Sequence, residues 1–438
     1  MANVDPTAAA RQRETSLGAE RKRALLIAYH YPPVATSSGL HRTLAFSRYL
    51  RDYGWEPLVL TVQPRAYEAV REDQLADVPA DIVVKRTFAL DVRRHLAVGG
   101  YYPGWLATPD RWSSWVASGT WAGVSLIRRY QPRVIWSTFP IATAHLIGLA
   151  LRRISGLPWV ADFRDPMTEP GYTNRPGHLL LERQVAKHAS RLVLTTPSSV
   201  RMYAERYPDA PRERFVELQN GYDEDTFRSV EDGVHSPPTQ RGPVRLVHSG
   251  VLYPNERDPS AFFAAISKLK TAGVVDATKL RVVLRAAGHD ALYGKMTQDA
   301  GVGDIVELAK AAPYRDALRE MLDADGLLIF QAANCNINIP AKVYECLRAR
   351  RPIFALTDSA GDTAAVLRAA SIDTIVPLDD SAAIATGLER FLRAIHAGTA
   401  PKPSEQAVLA HSRRALTAEL AACFDSVVLE QSAGSRRR

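Results

Sequence analysis

The sequence predicts an α/β protein made of two Rossmann-like, doubly wound domains. Short apolar runs, typical of buried parallel strands, alternate with helix-like stretches through most of its 438 residues. A polar, proline-rich segment, RSVEDGVHSPPTQRGP, interrupts this alternation near the middle, and each half is long enough to bury its own core. We therefore expect an N-terminal domain over residues 23–228, a linker over 229–243 and a C-terminal domain over 244–403.

Composition favours a cytoplasmic enzyme. Apolar residues make up 46% of the chain and charged residues 23%, which is ordinary for a soluble globular protein. No apolar run approaches the roughly 18–20 residues of a membrane span. Three cysteines without metal-binding spacing suit a reducing compartment. Residues 1–22 are polar, lack the apolar core of a secretory signal and predict a disordered tail.

The net charge of +8 indicates an anionic partner but does not by itself identify which kind. Arginine and lysine are spread along the chain and no nucleic-acid motif accompanies them, so we expect no nucleic-acid partner. A basic surface suits anionic lipid and diphosphate substrates equally well. Four tryptophans between residues 101 and 130 allow two interpretations, a membrane-interface or lipid-acceptor surface and the apolar face of an ordinary helix. The second is favoured, and peripheral contact with the inner face of the cell membrane stays open.

The most informative stretch is LLIFQAANCNINIPAKVYECLRARRPIFAL, residues 327–356. A buried strand, an asparagine-rich loop, a helix and a second strand predict a parallel crossover unit, with Pro340 in the first helical turn. Such a helix start offers free N–H groups to an anion. Glu345 lies one turn further in, where it would repel phosphate but accept hydrogen bonds from ribose hydroxyls. The predicted diphosphate-binding residues are Asn338, Ile339, Pro340, Ala341 and Lys342.

This stretch resembles the donor loop of retaining glycosyltransferases of family 4, which are bacterial polysaccharide-type enzymes among others. The resemblance implies the GT-B fold, in which two Rossmann-like domains face each other across a cleft. The family motif is a glutamate, seven residues and a second glutamate that contacts the ribose. Glu345 matches the second glutamate, whereas Ile337 stands where the first, associated with the donor sugar, would fall. Asn336 or Asn338 is a candidate neutral substitute.

The first strand, ALLIAY, is followed by the loop HYPPVATSSG and a helix. Gly39 allows close backbone approach at that helix start, a geometry suited to an anion. Family 4 enzymes have a similar Tyr-Pro-Pro, a glycine-containing loop and an arginine soon after. The resemblance therefore implies that Gly39 and Arg42 line the interdomain cleft. It also implies that the helix predicted over 404–430 crosses back to the N-terminal domain.

A second cluster of charge follows the strand at residues 158–161. Asp162, Arg164 and Asp165 come at its C-terminal end, where ligands bind in α/β domains. We expect Asp162 and Arg164 to position the acceptor or orient its hydroxyl, with Asp165 beside them. The better-known family pattern has a histidine in this loop, and Phe163 or Arg164 replaces it here. His145, in the preceding helix, is either an acceptor-side residue or a core histidine, and the second interpretation is favoured.

The C-terminal domain restarts with the strand VRLVHS, followed by Gly250 and a loop containing Arg257. Family members have a glycine and a basic residue at these points, both directed at the donor diphosphate. An arginine suits that role because its guanidinium binds two phosphate oxygens at once. The alternative is a surface arginine paired with Asp258. The pair Asp323 and Asp325 resembles a metal-binding motif but directly precedes a buried strand, so we expect no metal.

These patterns predict a retaining glycosyltransferase that uses a nucleoside-diphosphate sugar as co-substrate and needs no cofactor. The expected catalytic residues are Arg257, Glu345, Lys342, Asp162 and Arg164. The resemblance implies a glycan or lipid-linked acceptor of surface polysaccharide synthesis. Two alternatives remain: a GT-B nucleotide-sugar epimerase that would use Asp162, Asp165 and His145, and a non-catalytic nucleotide-sugar-binding protein that has lost the first glutamate of the motif.

Overall fold

The computed structural model describes residues 22–35, 39–168, 176–231 and 242–435. Most of the predicted tail and of the predicted linker lies outside these ranges. The chain divides into two compact units. The first unit contains the chain up to Phe163, Met167–Leu192 and Leu420–Arg438, and the second contains Arg164–Pro166 and Val193–Glu419.

A seven-stranded sheet has the order β3-β2-β1-β4-β5-β6-β7. Its strands are β1 (Lys22–Ile27), β2 (Trp55–Val62), β3 (Val83–Thr87), β4 (Val134–Thr138), β5 (Trp159–Phe163), β6 (Arg191–Leu194) and β7 (Phe215–Glu217). β1 is central, with Leu25 opposite Leu58 of β2 and Ile135 of β4, both in parallel register. The direction of winding reverses between β1 and β4, which makes this edge a topological switch point.

The helices before the middle of the chain are α1 (Gly39–Tyr49), α2 (Val92–His95), α3 (Trp115–Tyr130), α4 (Ala142–Ser155), α5 (Pro176–His188), α6 (Pro197–Arg206) and α7 (Glu224–Glu231). α3 and α4 pack closely because α3 has glycines at the contact. A Cβ atom on Gly119 would lie 2.6 Å from the Ile147 side chain, and one on Gly123 would lie 2.4 Å from Leu151. The two glycines therefore set the spacing of this helix pair.

The tryptophan-rich stretch divides between core and surface. Trp115 is fully buried, and its indole N–H donates to Thr87 Oγ1 at 2.8 Å. Trp105 and Trp121 are each 74% exposed. The favoured interpretation as an ordinary apolar helix face therefore holds for Trp115 and not for these two side chains.

The second sheet has six strands in the order β10-β9-β8-β11-β12-β13. They are β8 (Val244–Ser249), β9 (Leu280–Arg285), β10 (Val306–Ala309), β11 (Gly326–Phe330), β12 (Ile353–Leu356) and β13 (Ile375–Val376). The remaining helices are α8 (Ser260–Thr271), α9 (Asp290–Asp299), α10 (Tyr314–Leu322), α11 (Lys342–Ala349), α12 (Asp362–Ala369), α13 (Ser381–His396), α14 (Glu405–Ala410) and α15 (Arg413–Ser435). Winding reverses between β8 and β11, so both sheets are doubly wound and the predicted α/β class with two Rossmann-like sheets is confirmed.

The two compact units meet in the chain between Leu192 and Val193, and the predicted domain boundary at residue 228 stays a prediction. Residues Val193–Glu419 belong to the second unit, and the start of α6 and the segment after β7 contact other parts of that unit. Thr196 Oγ1 donates to the carbonyl of Ile337 at 2.7 Å, and the N–H of Tyr222 donates to the carbonyl of His411 at 3.2 Å. Among the described residues, none of the helices has both the length and the apolar character needed to cross a bilayer.

Candidate functional site

The loop between β11 and α11 is folded around one side chain. Gln331 Nε2 donates to the carbonyls of Cys335 and Asn338, both at 2.7 Å. These bonds hold the loop in a compact turn, and the helix that follows spans Lys342–Ala349. Pro340 lies just before the helix, where its carbonyl accepts the N–H of Val343 at 2.9 Å. The helix start still follows the loop directly, as the predicted anion site requires.

Glu345 is buried one turn into α11 and is held from two sides. Lys342 Nζ donates to its Oε2 at 2.6 Å, and the Tyr314 hydroxyl donates to its Oε1 at 2.9 Å. Burial acts to raise the pKa of Glu345, but Lys342, Arg413 and Tyr314 outweigh it and hold that pKa below the usual value. The carboxylate is therefore ionised at neutral pH. Its oxygens keep further lone pairs that can accept hydroxyl groups.

Tyr314 and Lys342 are themselves fixed by this arrangement. Burial, and then the neighbouring Glu345 carboxylate, raise the pKa of Tyr314 well above its ordinary value, so the phenol stays protonated and donates. Lys342 Nζ lies 5.2 Å from the centroid of the Tyr314 ring. The ammonium group is partly exposed and retains donors beyond the one given to Glu345.

Arg257 lies in the loop between β8 and α8, which begins with Gly250. Gly250 has φ of +143°, a region that L side chains rarely adopt. Arg257 Nη1 donates to the carbonyl of Val251 at 3.0 Å, and the guanidinium lies 5.5 Å from the centroid of the Tyr253 ring. Asp258 accepts the N–H of Ser260 at 2.9 Å. The interpretation of Arg257 as a surface partner of Asp258 therefore has no support from these contacts.

Predicted residues from distant parts of the second unit line one small pocket. It has a volume of about 30 Å³, room for a water-sized group, and lies at the C-terminal ends of β8 and β11. Its lining includes Arg257, Pro340, Lys342, His248 and Cys346. Burial raises the pKa of the Cys346 thiol to about 12, so this side chain stays neutral. The structure thus brings the two predicted phosphate-binding cations, Arg257 and Lys342, to the same cavity.

Sequence reasoning did not include His248 among the site residues. The side chain is buried, and Nδ1 lies 3.0 Å from the carbonyl of Leu328, so Nδ1 carries the proton and Nε2 is an acceptor. Among the described residues Nε2 has no hydrogen-bond partner. Burial lowers the pKa of His248 to about 4, which keeps the ring neutral. Its place at the end of a parallel strand was the signal available in the sequence.

A second feature that sequence reasoning missed fixes the loop between β11 and α11 through contacts with other elements. The Ile337 carbonyl accepts from Thr196 Oγ1 at 2.7 Å, at the start of α6. Nearby, Asp362 at the start of α12 accepts from the backbone N–H of Ser198 at 3.0 Å and from its hydroxyl at 2.8 Å. The residue standing at the first position of the family motif is therefore held through its backbone, and its side chain is only half-buried.

In the first unit, the structure joins two predicted site residues and buries both. The guanidinium of Arg42 donates Nε–H to Oδ2 and Nη2–H to Oδ1 of Asp162, both at 3.0 Å. Thr138 Oγ1 adds a third donor to the same carboxylate at 3.1 Å. Asp162 has no exposed surface and Arg42 is 5% exposed. In this structure Asp162 anchors Arg42, and it does not present a carboxylate to an acceptor as expected.

His145 is a core residue, the favoured of its two interpretations. Its ring lies 4.6 Å from that of Phe163, and Nδ1 is 2.8 Å from Ser137 Oγ, which accepts the indole N–H of Trp159. Burial lowers the pKa of His145 to about 3. With no exposed surface, it offers no group to a ligand, and the acceptor-side assignment is corrected.

The remaining predicted residues lie in less enclosed positions. Arg164 is half-buried, with its carbonyl accepting Thr195 Oγ1 at 2.6 Å, and Asp165 is exposed. Both are assigned to the second unit, whereas Asp162, two residues before Arg164, belongs to the first. Gly39 is the first residue of α1 in the first unit, directly after the undescribed residues 36–38.

The two doubly wound sheets define the class of fold as GT-B, and comparison with solved structures agrees. The chain resembles a trehalose 6-phosphate synthase from Burkholderia multivorans (12% identity, TM-score 0.65, 96% of this chain and 99% of that one). It resembles a sucrose-phosphate synthase from Thermosynechococcus elongatus (13% identity, TM-score 0.59, 95% and 99%). It also resembles Anabaena HepE, solved in complex with UDP-glucose (13% identity, TM-score 0.57, 94% and 99%). At such identities the likeness concerns the fold alone.

The sequence itself gives a narrower match. Residues 38–221 match the family described as glycosyl transferase 4-like domain. No curated protein matches the sequence significantly. The chain therefore has a GT-B fold, and residues 38–221 of it are similar to a glycosyltransferase domain.

Proposed function

We propose that this chain is a retaining glycosyltransferase that moves a sugar from a nucleoside-diphosphate sugar to an acceptor hydroxyl. One observation carries the proposal. An ionised, buried carboxylate, Glu345, is fixed one turn into α11, while Lys342 and Arg257 meet at one pocket beside the start of that helix. Positive charge at a helix start with a carboxylate further in matches the two chemical parts of a nucleotide, diphosphate and ribose.

In the proposed reaction the protein stabilises the leaving group. The bond between the sugar C1 and the diphosphate oxygen breaks, and its electron pair stays on the phosphate. Arg257, Lys342 and the N–H groups at the start of α11 stabilise this charge, an effect typically worth about 3–4 kcal/mol per donor. The acceptor oxygen forms the new bond to C1 on the same face, and its proton passes to the departing phosphate. We assign no protein nucleophile, metal or cofactor to this scheme.

Similar proteins support the donor class and suggest the acceptor class. HepE was solved with UDP and with UDP-glucose, and another similar structure, at 10% identity, is a lipopolysaccharide outer core galactosyltransferase, WaaB. We extend the proposal to a glycan or lipid-linked intermediate of surface polysaccharide synthesis as acceptor. Arg164 and Asp165, which have accessible surface, are the proposed acceptor-side residues.

A second candidate function follows from Ile337. This residue stands where the family motif has its first glutamate, and it offers only an aliphatic side chain and a carbonyl already held by Thr196. A protein with this change could bind a nucleotide-sugar without turning it over. We rank this below the transferase because the cations proposed to stabilise the leaving group, Arg257 and Lys342, are both present at the pocket.

Calorimetric titration with a panel of nucleoside diphosphates tests the donor site. The protein should bind one nucleotide preferentially, and Arg257→Ala and Glu345→Ala should each weaken binding roughly 10- to 100-fold, as expected for a hydrogen bond to a charged group. Arg281→Ala and Glu389→Ala are matched controls, because both residues form ion pairs on other elements of the second unit. Folded protein that binds none of the nucleotides would overturn the donor-site proposal.

Product analysis with the matching nucleotide-sugar then separates the candidate reactions. A transferase releases nucleoside diphosphate only when an acceptor is present, and NMR of the product shows the anomeric configuration of the donor retained. An epimerase gives an isomeric nucleotide-sugar and no free diphosphate. Binding with neither product identifies the non-catalytic candidate.

A further inference from the structure

Three neighbouring helices of the first unit carry charge of one sign. α4 packs between α3 and α5, and these three helices form one layer. Together they contain six arginine and lysine residues and a single carboxylate, Glu182. Glu182 has no exposed surface, and it accepts the hydroxyl of Thr168 at 2.9 Å. The outer surface of the layer therefore shows basic groups and no acidic group of its own.

The same surface exposes large apolar side chains. Trp121 of α3 is 74% exposed, Ile154 of α4 is 60% exposed and Leu180 of α5 is 65% exposed. Exposed single hydrophobic residues are common, but three on adjacent helices between basic groups form a mixed apolar and cationic surface. We call this surface, with Arg128, Arg129 and Arg153, the α3–α5 face.

The basic groups of the face are available for an external anion. Among the described residues, Arg128, Arg129 and Arg153 have no carboxylate partner. Arg153 donates to the Gln184 side chain at 2.7 Å and lies 3.4 Å from His188 Nε2. Asp110, which contacts the start of α4, is buried and accepts the N–H and the hydroxyl of Thr143, both at 2.7 Å. Glu430 of α15 is paired with Arg191. Potential from these arginines is therefore not cancelled within the face.

An open groove runs along α3 in this face. It has a volume of about 940 Å³ and is lined by Trp121, Val124, Arg128, Arg129 and, across from them, Ala150 of α4. The apolar part lies toward the middle of α3 and the two arginines lie at its C-terminal end. Such an order, apolar surface next to guanidinium groups, fits the boundary between acyl chains and phosphate head groups.

We propose that the α3–α5 face docks on an anionic lipid bilayer, with Trp121, Ile154 and Leu180 at the acyl boundary and the arginines on lipid phosphates. Charge complementarity would also suit a nucleic acid. The exposed aliphatic side chains favour the bilayer, because Ile154 and Leu180 gain apolar contact there and none from a phosphate backbone. This docking does not depend on the proposed transfer reaction.

Vesicle sedimentation of the full-length protein tests the proposal. The protein should bind vesicles of phosphatidylcholine mixed equally with phosphatidylglycerol, bind phosphatidylcholine alone much less, and release at high salt. Arg128→Gln/Arg129→Gln should lower the partition coefficient roughly 25-fold, from about 1 kcal/mol per basic residue. Trp121→Ser should lower it several-fold. Lys268→Gln/Lys402→Gln and Leu292→Ser, exposed changes in the second unit, should have no effect.

Each other outcome overturns the docking proposal. The first is failure of the protein to bind anionic vesicles, and the second is equal vesicle binding by the face variants and the wild type. The third is binding of single-stranded RNA, lost in Arg128→Gln/Arg129→Gln, by a protein that binds no vesicles. A change of oligomeric state in Trp121→Ser without vesicle binding would assign the face to a second copy of the chain. Nucleotide affinity measured by calorimetry on the same variants should be unchanged, so failure here is distinct from failure of the donor site.

Discussion

Arg42 and Asp162 form a bidentate ion pair inside the first unit, although 120 residues separate them in the sequence. Two buried charges are tolerated here because each hydrogen-bonding oxygen of the carboxylate is matched by a donor, with Thr138 as the third. α1 is thereby fixed to the end of β5, at the edge of the sheet where ligands bind in doubly wound folds.

Replacing one partner of this ion pair should destabilise the first unit more than replacing both partners with apolar residues. Asp162→Asn leaves the guanidinium without its counter-charge and should lower the free energy of unfolding by about 3–5 kcal/mol, whereas Arg42→Met/Asp162→Leu should recover most of that loss. Denaturant titration followed by tryptophan fluorescence measures this directly, because all seven tryptophans lie within the first unit. Equal stability of wild type and Asp162→Asn would contradict the structural role and return Asp162 to the acceptor side.

The proposed ribose contact of Glu345 can be tested with the ligand rather than the protein. Wild type should bind a nucleoside diphosphate about 10-fold or more tightly than its 2′-deoxy or 3′-deoxy analogue, because one hydrogen bond to a charged acceptor is lost. Glu345→Ala should bind ribose and deoxyribose forms equally, and the control Glu389→Ala should keep the preference. A preference that survives Glu345→Ala would place the ribose on another residue.

The fold was predictable because buried parallel strands leave a strong local pattern. The location of Arg257, Lys342 and Glu345 in the fold was predictable for the same reason, because their neighbours in sequence define a strand end or a helix start, and their roles stay predictions. Contacts between residues that are remote in sequence were not predictable. Arg42 lies 120 positions before Asp162, so nothing near Asp162 indicated its ion-pair partner, and Asp162 was predicted to contact a ligand. The bonds from Gln331 that shape the loop before α11 were not predictable for a similar reason, since they are side-chain contacts that no periodicity shows.

His248 should make the stability of the second unit depend on pH. Its pKa is near 4 when folded and near 6.5 when unfolded, so the unfolded chain takes up a proton first as the pH falls. The stabilisation is complete above pH 6.5 and is lost progressively toward pH 4. From these pKa values, the free energy of unfolding of the second unit should fall by about 2 kcal/mol between pH 7.5 and pH 5 through His248 alone.

His248→Asn, which keeps a donor near Leu328, should lack this part of the pH dependence. Hydrogen exchange of amides in β8 and β11 reports on the second unit, and the quantity to compare is the difference between wild type and variant at each pH. Carboxylates contribute to both proteins and cancel in that difference. Parallel pH profiles for the two proteins would show that His248 is solvated or charged in the folded state.

Ile337 is the position at which the two candidate functions make different predictions. Ile337→Glu restores the carboxylate of the family motif at a half-buried residue whose backbone carbonyl stays bonded to Thr196 Oγ1. Since a carboxylate accepts sugar hydroxyls and an aliphatic chain does not, the variant should bind the nucleotide-sugar more tightly relative to the free nucleotide. Affinity for the free nucleotide should stay unchanged, and Ile337→Gln, of matched size but neutral, should give a smaller gain.

Isothermal titration with both ligands measures the ratio of the two affinities, and turnover assays on the same proteins follow. Transfer by wild type that the variant increases supports a transferase with a weakened donor-sugar contact. Transfer that appears only in the variant identifies wild type as the non-catalytic binder. If Ile337→Glu leaves the ratio unchanged in folded protein, the donor sugar does not reach residue 337.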